Sequence, residues 1–190
     1  MKETVHIGKT FTKVTYTEEL IQKREFENCT FIDCDLYGSD FSQSQFIDCS
    51  FKGCNLSIIK LNATGLKNVA FDACKMMGIG FDYSDDFLFE VQFNDCTLDF
   101  SSFARKKMQK TKFINSSMQE VNFSETDLTK SVFEDINLNR ALFNRTILVE
   151  ADLSKAYNFS IDPELNFLKK AKFSLKDAGG LLEKYNIKLV

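Results

Sequence analysis

Residues 29–46 read Cys29-Thr30-Phe31-Ile32-Asp33-Cys34-Asp35-Leu36-Tyr37-Gly38-Ser39-Asp40-Phe41-Ser42-Gln43-Ser44-Gln45-Phe46. A large apolar residue stands at every fifth position: Phe31, Leu36, Phe41, Phe46. Outward from this stretch the spacing runs in one phase from Ile21 to Phe81. It slips by two residues near Asp85 and Asp86, resumes at Leu88 and continues to Leu153. We call these the central positions. Two residues before each of them the chain is small, as at Cys29, Cys34, Ser39, Ser44, Cys49, Cys54, Cys74, Cys96, Thr126, Ser131, Ala141, Thr146 and Ala151. Glu19, Arg24 and Lys106 break that rule.

A period of five fits no ordinary element. On an α-helix five residues advance by about 500°, so an apolar stripe would wander round the axis. On a flat strand an odd period sends alternate apolar residues to opposite faces. The spacing is consistent only if the chain turns a corner every five residues and points each central side chain inward. That is a solenoid, in which each repeat buries its apolar side only by stacking on its neighbours. Residue type sets the number of sides. Phe31, Phe51, Phe71, Phe93, Phe113 and Phe133 recur at a lag of twenty apart from the slip. Leu36, Leu56, Met76, Leu98, Met118 and Leu138 follow the same lag. A three-sided coil would mix these columns, so four sides are predicted, with like residues stacked about 4.8 Å apart.

The segments Ser39-Asp40-Phe41-Ser42-Gln43, Thr126-Asp127-Leu128-Thr129-Lys130 and Ala151-Asp152-Leu153-Ser154-Lys155 resemble the repeat unit of pentapeptide repeat proteins. The resemblance implies an all-β solenoid, a right-handed quadrilateral parallel β-helix of about seven coils. Residues 21–155 are assigned to the coil with its register slip at 82–87, and 1–20 to an N-terminal cap. Residues 156–190 form a tail with a short α-helical cap. Within that tail Asp162-Pro163-Glu164 reads as a helix start and Ser174 with Asp177 as a capping box. Leu175, Ala178, Leu182 and Tyr185 lie at helical spacing, and the apolar end 187–190 reads as strand-like. Gly179 and Gly180 cost roughly 1 kcal/mol each inside a helix; another backbone approaching there, for instance across a two-fold axis, is one reason to keep them, and a broken helix is the other reading.

The tail is also similar to the C-termini of the topoisomerase-interacting members of the family: the Qnr-type quinolone-resistance proteins, MfpA and the microcin immunity protein McbG, the last nearest in length. That resemblance implies a homodimer through the tail, with Leu175, Ala178, Gly179, Leu182, Tyr185, Ile187 and Leu189 at its interface. It implies DNA gyrase or topoisomerase IV as target, met by a rod that imitates duplex DNA. The alternative is a structural or scaffold rod with another protein partner.

Composition fits a cytoplasmic bacterial protein of this kind: 20 Phe, no Trp and a single Pro in 190 residues are what stacked aromatic columns require. No apolar run reaches the length of a membrane helix, and no signal peptide is evident. The six cysteines all hold the small inward position, so they read as reduced structural thiols rather than a disulfide or metal set. The lone histidine, His6, has no catalytic partner in its motif. No phosphate loop, metal spacing or nucleophile elbow is present, so no enzyme and no cofactor is implied.

Net charge is −3, but residues 25–100 hold thirteen carboxylates against four lysines, a net of −9. Seven coils make a rod of roughly 33 Å, over which duplex DNA carries about 19 charges. Only the acidic block approaches that density, and an acidic surface argues against direct nucleic-acid binding. The candidate partner-binding carboxylates are Asp33, Asp35, Asp72, Asp82, Asp85, Asp86, Asp95, Asp99, Glu134 and Asp135. The slip itself reads either as a working surface, as bulges often are, or as a scar in the repeat.

Overall fold

Most repeats turn their corner at the residue two after the central one, and that residue takes a left-handed backbone conformation. Asn28, Asp33, Asp48, Ile58, Phe100 and Arg140 all have φ between 51° and 64°. Such a conformation costs an L-residue roughly 1–2 kcal/mol, which explains why glycine, asparagine and aspartate are common there. Ladder hydrogen bonds offset the cost at the less suited residues. Ile58 N–H donates to Met77 O at 2.8 Å and Phe100 N–H to Gln119 O at 2.9 Å, each on the next coil.

The computed structural model describes residues 3–188, which wind into a four-sided parallel β-solenoid of about eight turns. All strand pairing is parallel and links residues one coil apart, such as Phe31 with Phe51 and Phe51 with Phe71. The longest ladder runs from Thr10–Thr12 to Lys172–Phe173 through nine strands. Its phenylalanines stack face to face: Phe11 on Phe31 at 4.8 Å, Phe31 on Phe51 at 4.5 Å, Phe51 on Phe71 at 5.2 Å, Phe71 on Phe93 at 5.4 Å. Phe93 and Phe113 lie at 5.9 Å, the widest step of this column, and Phe113 and Phe133 at 4.8 Å.

The small inward residues close the interior electrically as well as sterically. A hydroxyl or thiol at this position donates to the carbonyl of the central residue one coil earlier: Thr64 to Phe41 O at 2.8 Å, Ser131 to Met108 O at 2.8 Å, Cys74 to Phe51 O at 3.5 Å. Carbonyls facing an apolar core are thereby satisfied without water. The six cysteines are buried free thiols, and burial pushes Cys49 up to about 11, so it is held as an unreactive thiol.

The ends differ from expectation. Residues 5–20, read as a cap, wind as a coil: Val5–Ile7 pairs with Glu25–Glu27 and Thr10–Thr12 with Thr30–Ile32. His6 takes the place of a phenylalanine there, buried and stacked on Phe26 at 4.9 Å. At the other end the repeat does not dissolve after Leu153. Asp162-Pro163-Glu164 forms a turn, with Glu164 N–H on Asp162 Oδ1 at 2.8 Å, and Phe167 continues the ladder by bridging to Ile147. The expected α-helical cap is replaced by two short 3-10 turns, Ala178–Leu181 and Glu183–Tyr185. Of the capping box, the bond from Asp177 N–H to Ser174 Oγ forms at 3.1 Å, while the Asp177 carboxylate accepts from the Ser174 hydroxyl at 2.6 Å, and together these bonds open a turn. Gly180 supplies the reason. Its carbonyl accepts from Ile161 N–H at 3.0 Å, and a Cβ there would stand 2.0 Å from Phe159 O. The close backbone approach that the glycines permit at Gly180 is to the chain's own last coil.

Candidate functional site

The ten candidate carboxylates divide among three corners. Asp33, Asp35, Asp72, Asp95, Glu134 and Asp135 line the edge between the Phe31 and Leu36 columns; Asp99 follows Leu98 and lies at the next corner. Asp33, Asp95 and Asp135 occupy left-handed corner positions; the others on that edge flank those corners. Asp82, Asp85 and Asp86 lie two corners away, between the Phe41 and Phe26 columns, and belong to the slip.

The acidic edge is knitted to its own ladder. Asn94 Nδ2 donates to Asp72 at 2.7 Å and to Asp95 at 2.8 Å, and Asn55 Nδ2 to Asp35 at 3.1 Å. Asp99, at the next corner, is nearly buried and accepts from Ser117 Oγ at 2.6 Å and Gln119 N–H at 2.9 Å. Lys155 pairs with Glu134. Asp33 and Asp135 therefore project most freely, with Gly53, Ala73, Asp95 and Asn115 at the corner positions between them.

The slip is a loop over residues 84–90 held by Lys106. This lysine sits at a small inward position and is 1% exposed. Its Nζ donates to Ser84 O at 2.7 Å and to Asp86 Oδ1 at 2.6 Å, and lies 4.9 Å from the centre of the Phe89 ring, within cation–π range. Ser84 O is the carbonyl that the regular coil would offer to Lys107 N–H. At the equivalent position Gly65, Asp127, Ile147 and Phe167 each donate to the coil before, at 2.9–3.0 Å. Lys107 N–H has no backbone partner among the described residues. So the buried ammonium takes over a ladder carbonyl, and the coils part at this edge. Leu88, expected to resume the central phase, is instead exposed at φ 56°, with Phe87 beside it 75% exposed. Phe89 turns partly inward in its place, and the regular phase returns at Phe93. A groove of about 470 Å³ opens below the loop, bordered by Lys67, Lys107, Lys110 and Lys112. The signal for it in the sequence was Lys106, the one long cation that replaces a small residue inside the coil's middle.

The tail leaves Leu175, Leu182, Tyr185 and Ile187 exposed. Ala178 and Gly179 lie in the first 3-10 turn, so the anticipated single helical face does not form; Leu189 lies outside the described residues. Lys184 binds Asp162 and Glu164, both at 2.7 Å, and Tyr185 Oη donates to Glu164 at 2.9 Å, pinning the tail to the last coil. Among the described residues no group of histidine, cysteine and carboxylate side chains has the arrangement to hold a metal ion, and no helix is long and apolar enough to cross a membrane.

Sequence comparison decides the family. A pentapeptide repeat region model matches residues 24–85, and a model of eight pentapeptide repeat copies matches 92–129 and 122–157. The chain belongs to the pentapeptide repeat family. The two matched regions stop and restart on either side of residues 86–91, where the loop interrupts the coil. Among solved structures, a trypsin-treated form of QnrB1, a plasmid-mediated fluoroquinolone resistance protein, aligns with TM-score 0.63 at 17% identity, covering 98% of this chain and all of that one. A second trypsin-treated QnrB1 gives 0.64 at 17% identity, with 98% of each chain covered. HetL, from the cyanobacterium Nostoc sp. strain PCC 7120 and involved in heterocyst differentiation regulation, gives 0.51 at 12% identity, covering 90% of this chain and 83% of that one. At these identities the likeness is one of fold. No curated protein sequence matches the chain.

Proposed function

We propose that this pentapeptide repeat protein is a non-enzymatic, cytoplasmic binding protein that modulates or protects DNA gyrase or topoisomerase IV by imitating DNA. The observation that carries the reading is the acidic edge: carboxylates from four coils along one corner of the rod, interrupted by Lys52 and Lys75. Eight turns at the coil spacing make a rod of about 38 Å, and residues 25–100 concentrate a net charge of −9 on its first half. The end-to-end alignment with QnrB1, a fluoroquinolone resistance protein, supports this target class. A scaffold rod with another partner is the second reading. It draws on the internal pairing of Asp72 and Glu134, which suits a solvated polar edge as well as a ligand surface.

Replacing Asp33, Asp72 and Asp95 by Lys shifts local charge by six units without touching an inward position. Surface changes of this type stay within about 0.5 kcal/mol in stability, so the fold is retained. Under mimicry the wild type alters gyrase supercoiling or competes with DNA for the enzyme, and the triple variant does neither. A wild type without either effect at tens of micromolar sinks the gyrase reading and leaves the scaffold.

We further propose a homodimer through the tail, resting on the exposed Leu175, Leu182, Tyr185 and Ile187. Light scattering is expected to return twice the 21.8 kDa chain mass. Leu175→Glu with Tyr185→Glu is expected to return a monomer; a wild type that is already monomeric at high concentration overturns the dimer.

A further inference from the structure

The ladder of the Phe26 column is interrupted. The strands Val5–Ile7, Glu25–Glu27, Gln45–Ile47 and Gly65–Lys67 form one sheet that ends at Lys67. Pairing on this side resumes only with the bridges Lys107–Asp127, Ile147–Asp127 and Ile147–Phe167. Between them the 84–90 loop bonds to the coil before it, Asp85 N–H to Thr64 O and Glu90 N–H to Leu66 O, both at 2.9 Å. It does not close on the coil after it, where Lys107 N–H is left without a backbone partner among the described residues. The loop and residues 107–112 are thus not joined by backbone hydrogen bonds among the described residues, and a groove of about 470 Å³ lies between them.

Charge says what kind of chain. Lys67, Lys107, Lys110 and Lys112 are exposed around the groove, with Glu90 as the carboxylate among its lining residues. Elsewhere on the later coils exposed cations are commonly matched: Lys130 with Glu150 at 3.6 Å, Arg140 with Glu120 at 3.5 Å, Lys172 with Asp152 at 3.1 Å. None of the four groove lysines lies within ion-pair distance of a carboxylate among the described residues. Leu88 makes an apolar lip on the site, with the exposed Phe87 next to it in the chain. An unmatched main-chain donor, a lysine rim and an apolar lip together match an extended segment with acidic side chains and intervening apolar ones, since main-chain bonds give such docking its affinity and side-chain pockets its selectivity.

We propose that the groove between the 84–90 loop and residues 107–112 receives an extended acidic segment of a partner protein, whose main chain accepts from the Lys107 N–H that the loop leaves unpaired. The proposal stands apart from the topoisomerase reading, because the acidic edge lies on a different corner. Lys106 acts as a positioning residue: it diverts Ser84 O and so keeps the slot open.

The test uses the full chain and a fluorescein-labelled peptide of about eight residues alternating Glu with Val, a typical strand length. Fluorescence anisotropy at low salt is expected to show saturable binding. Lys107→Glu with Lys110→Glu is expected to weaken it at least about tenfold. Lys169→Glu with Lys170→Glu, an equal charge change farther along the rod, is expected to leave it within about twofold, as distant sites act independently. Circular dichroism of both variants should match the parent. Amide exchange at Lys107 is expected to slow when the peptide binds, which simple charge adhesion does not produce. The proposal is overturned by any of four results: no binding of this peptide by the parent protein, equal losses in the two variants, unchanged Lys107 exchange, or tighter binding of a labelled oligothymidine than of the peptide. The last result would make the groove a nucleic-acid site.

Discussion

Two sides of the same coil meet the same two-residue slip and respond differently. Along the Phe31 column the slip lengthens the lag from twenty to twenty-two residues between Phe71 and Phe93, yet the strands pair residue for residue from Val69 with Val91 to Asp72 with Asn94. Along the Phe26 column the strand is lost, a loop stands out and a groove opens below it. Each side of a four-sided solenoid is an independent ladder held by its own coil-to-coil hydrogen bonds. A length error is therefore absorbed on one side, and the others keep register. The separation is not complete: the ring spacing of the Phe31 column widens to 5.9 Å between Phe93 and Phe113, on the coils that Lys106 parts.

The sharpest way to break this comparison is to truncate the same residue type on both sides. Phe71 is buried in the continuous column, so Phe71→Ala is expected to lower stability by about 3–5 kcal/mol. Phe89 is only partly buried in the loop, so Phe89→Ala should cost about 1 kcal/mol. Equal losses in denaturant titrations would mean that the loop is as integral to the core as the ladder.

A smaller effect is expected at Lys106, and its sign distinguishes wedge from filler. Lys106→Met keeps the volume but removes the donor on Ser84 O, stranding a buried carbonyl at about 1–3 kcal/mol. Lys106→Ser restores the small residue of the repeat and lets Lys107 N–H reach that carbonyl. The serine variant should be the more stable of the two and should show slower exchange at the Lys107 amide. If methionine is the better tolerated, Lys106 serves mainly to fill space.

The smallest effect concerns the first coil. His6 is buried, its ring nitrogens lack hydrogen-bond partners among the described residues, and its pKa is lowered by burial first and by Lys9 second. The folded chain thus binds this proton less readily than the unfolded one. Stability is lost as pH falls from the ordinary histidine value of about 6.5 toward the lowered one. His6→Phe, which extends the Phe26–Phe46 stack, should stabilise by about 1 kcal/mol and flatten the melting temperature between pH 7 and 5. An unchanged pH profile would show that His6 reaches solvent in the folded state.

The repeat, the four columns and the inward cysteines were all legible in the order of residues. Period and residue size are local properties, and in a solenoid every coil-to-coil contact lies at a constant sequence lag. The acidic edge was legible for the same reason: once the lag is known, Asp33, Asp95 and Asp135 must align. What tertiary structure alone decided lies where the lag fails. At the tail, helical spacing and a capping box pointed to an α-helix, but Gly180 packs against Phe159 O and the segment settles as 3-10 turns on the last coil. At the slip, Leu88 matched the period and Phe89 did not, yet Leu88 is exposed and Phe89 turns toward the core. That choice depends on where a lysine twenty-two residues beyond Ser84 places its ammonium. No pattern within five residues carries that information, because it arises from packing between coils.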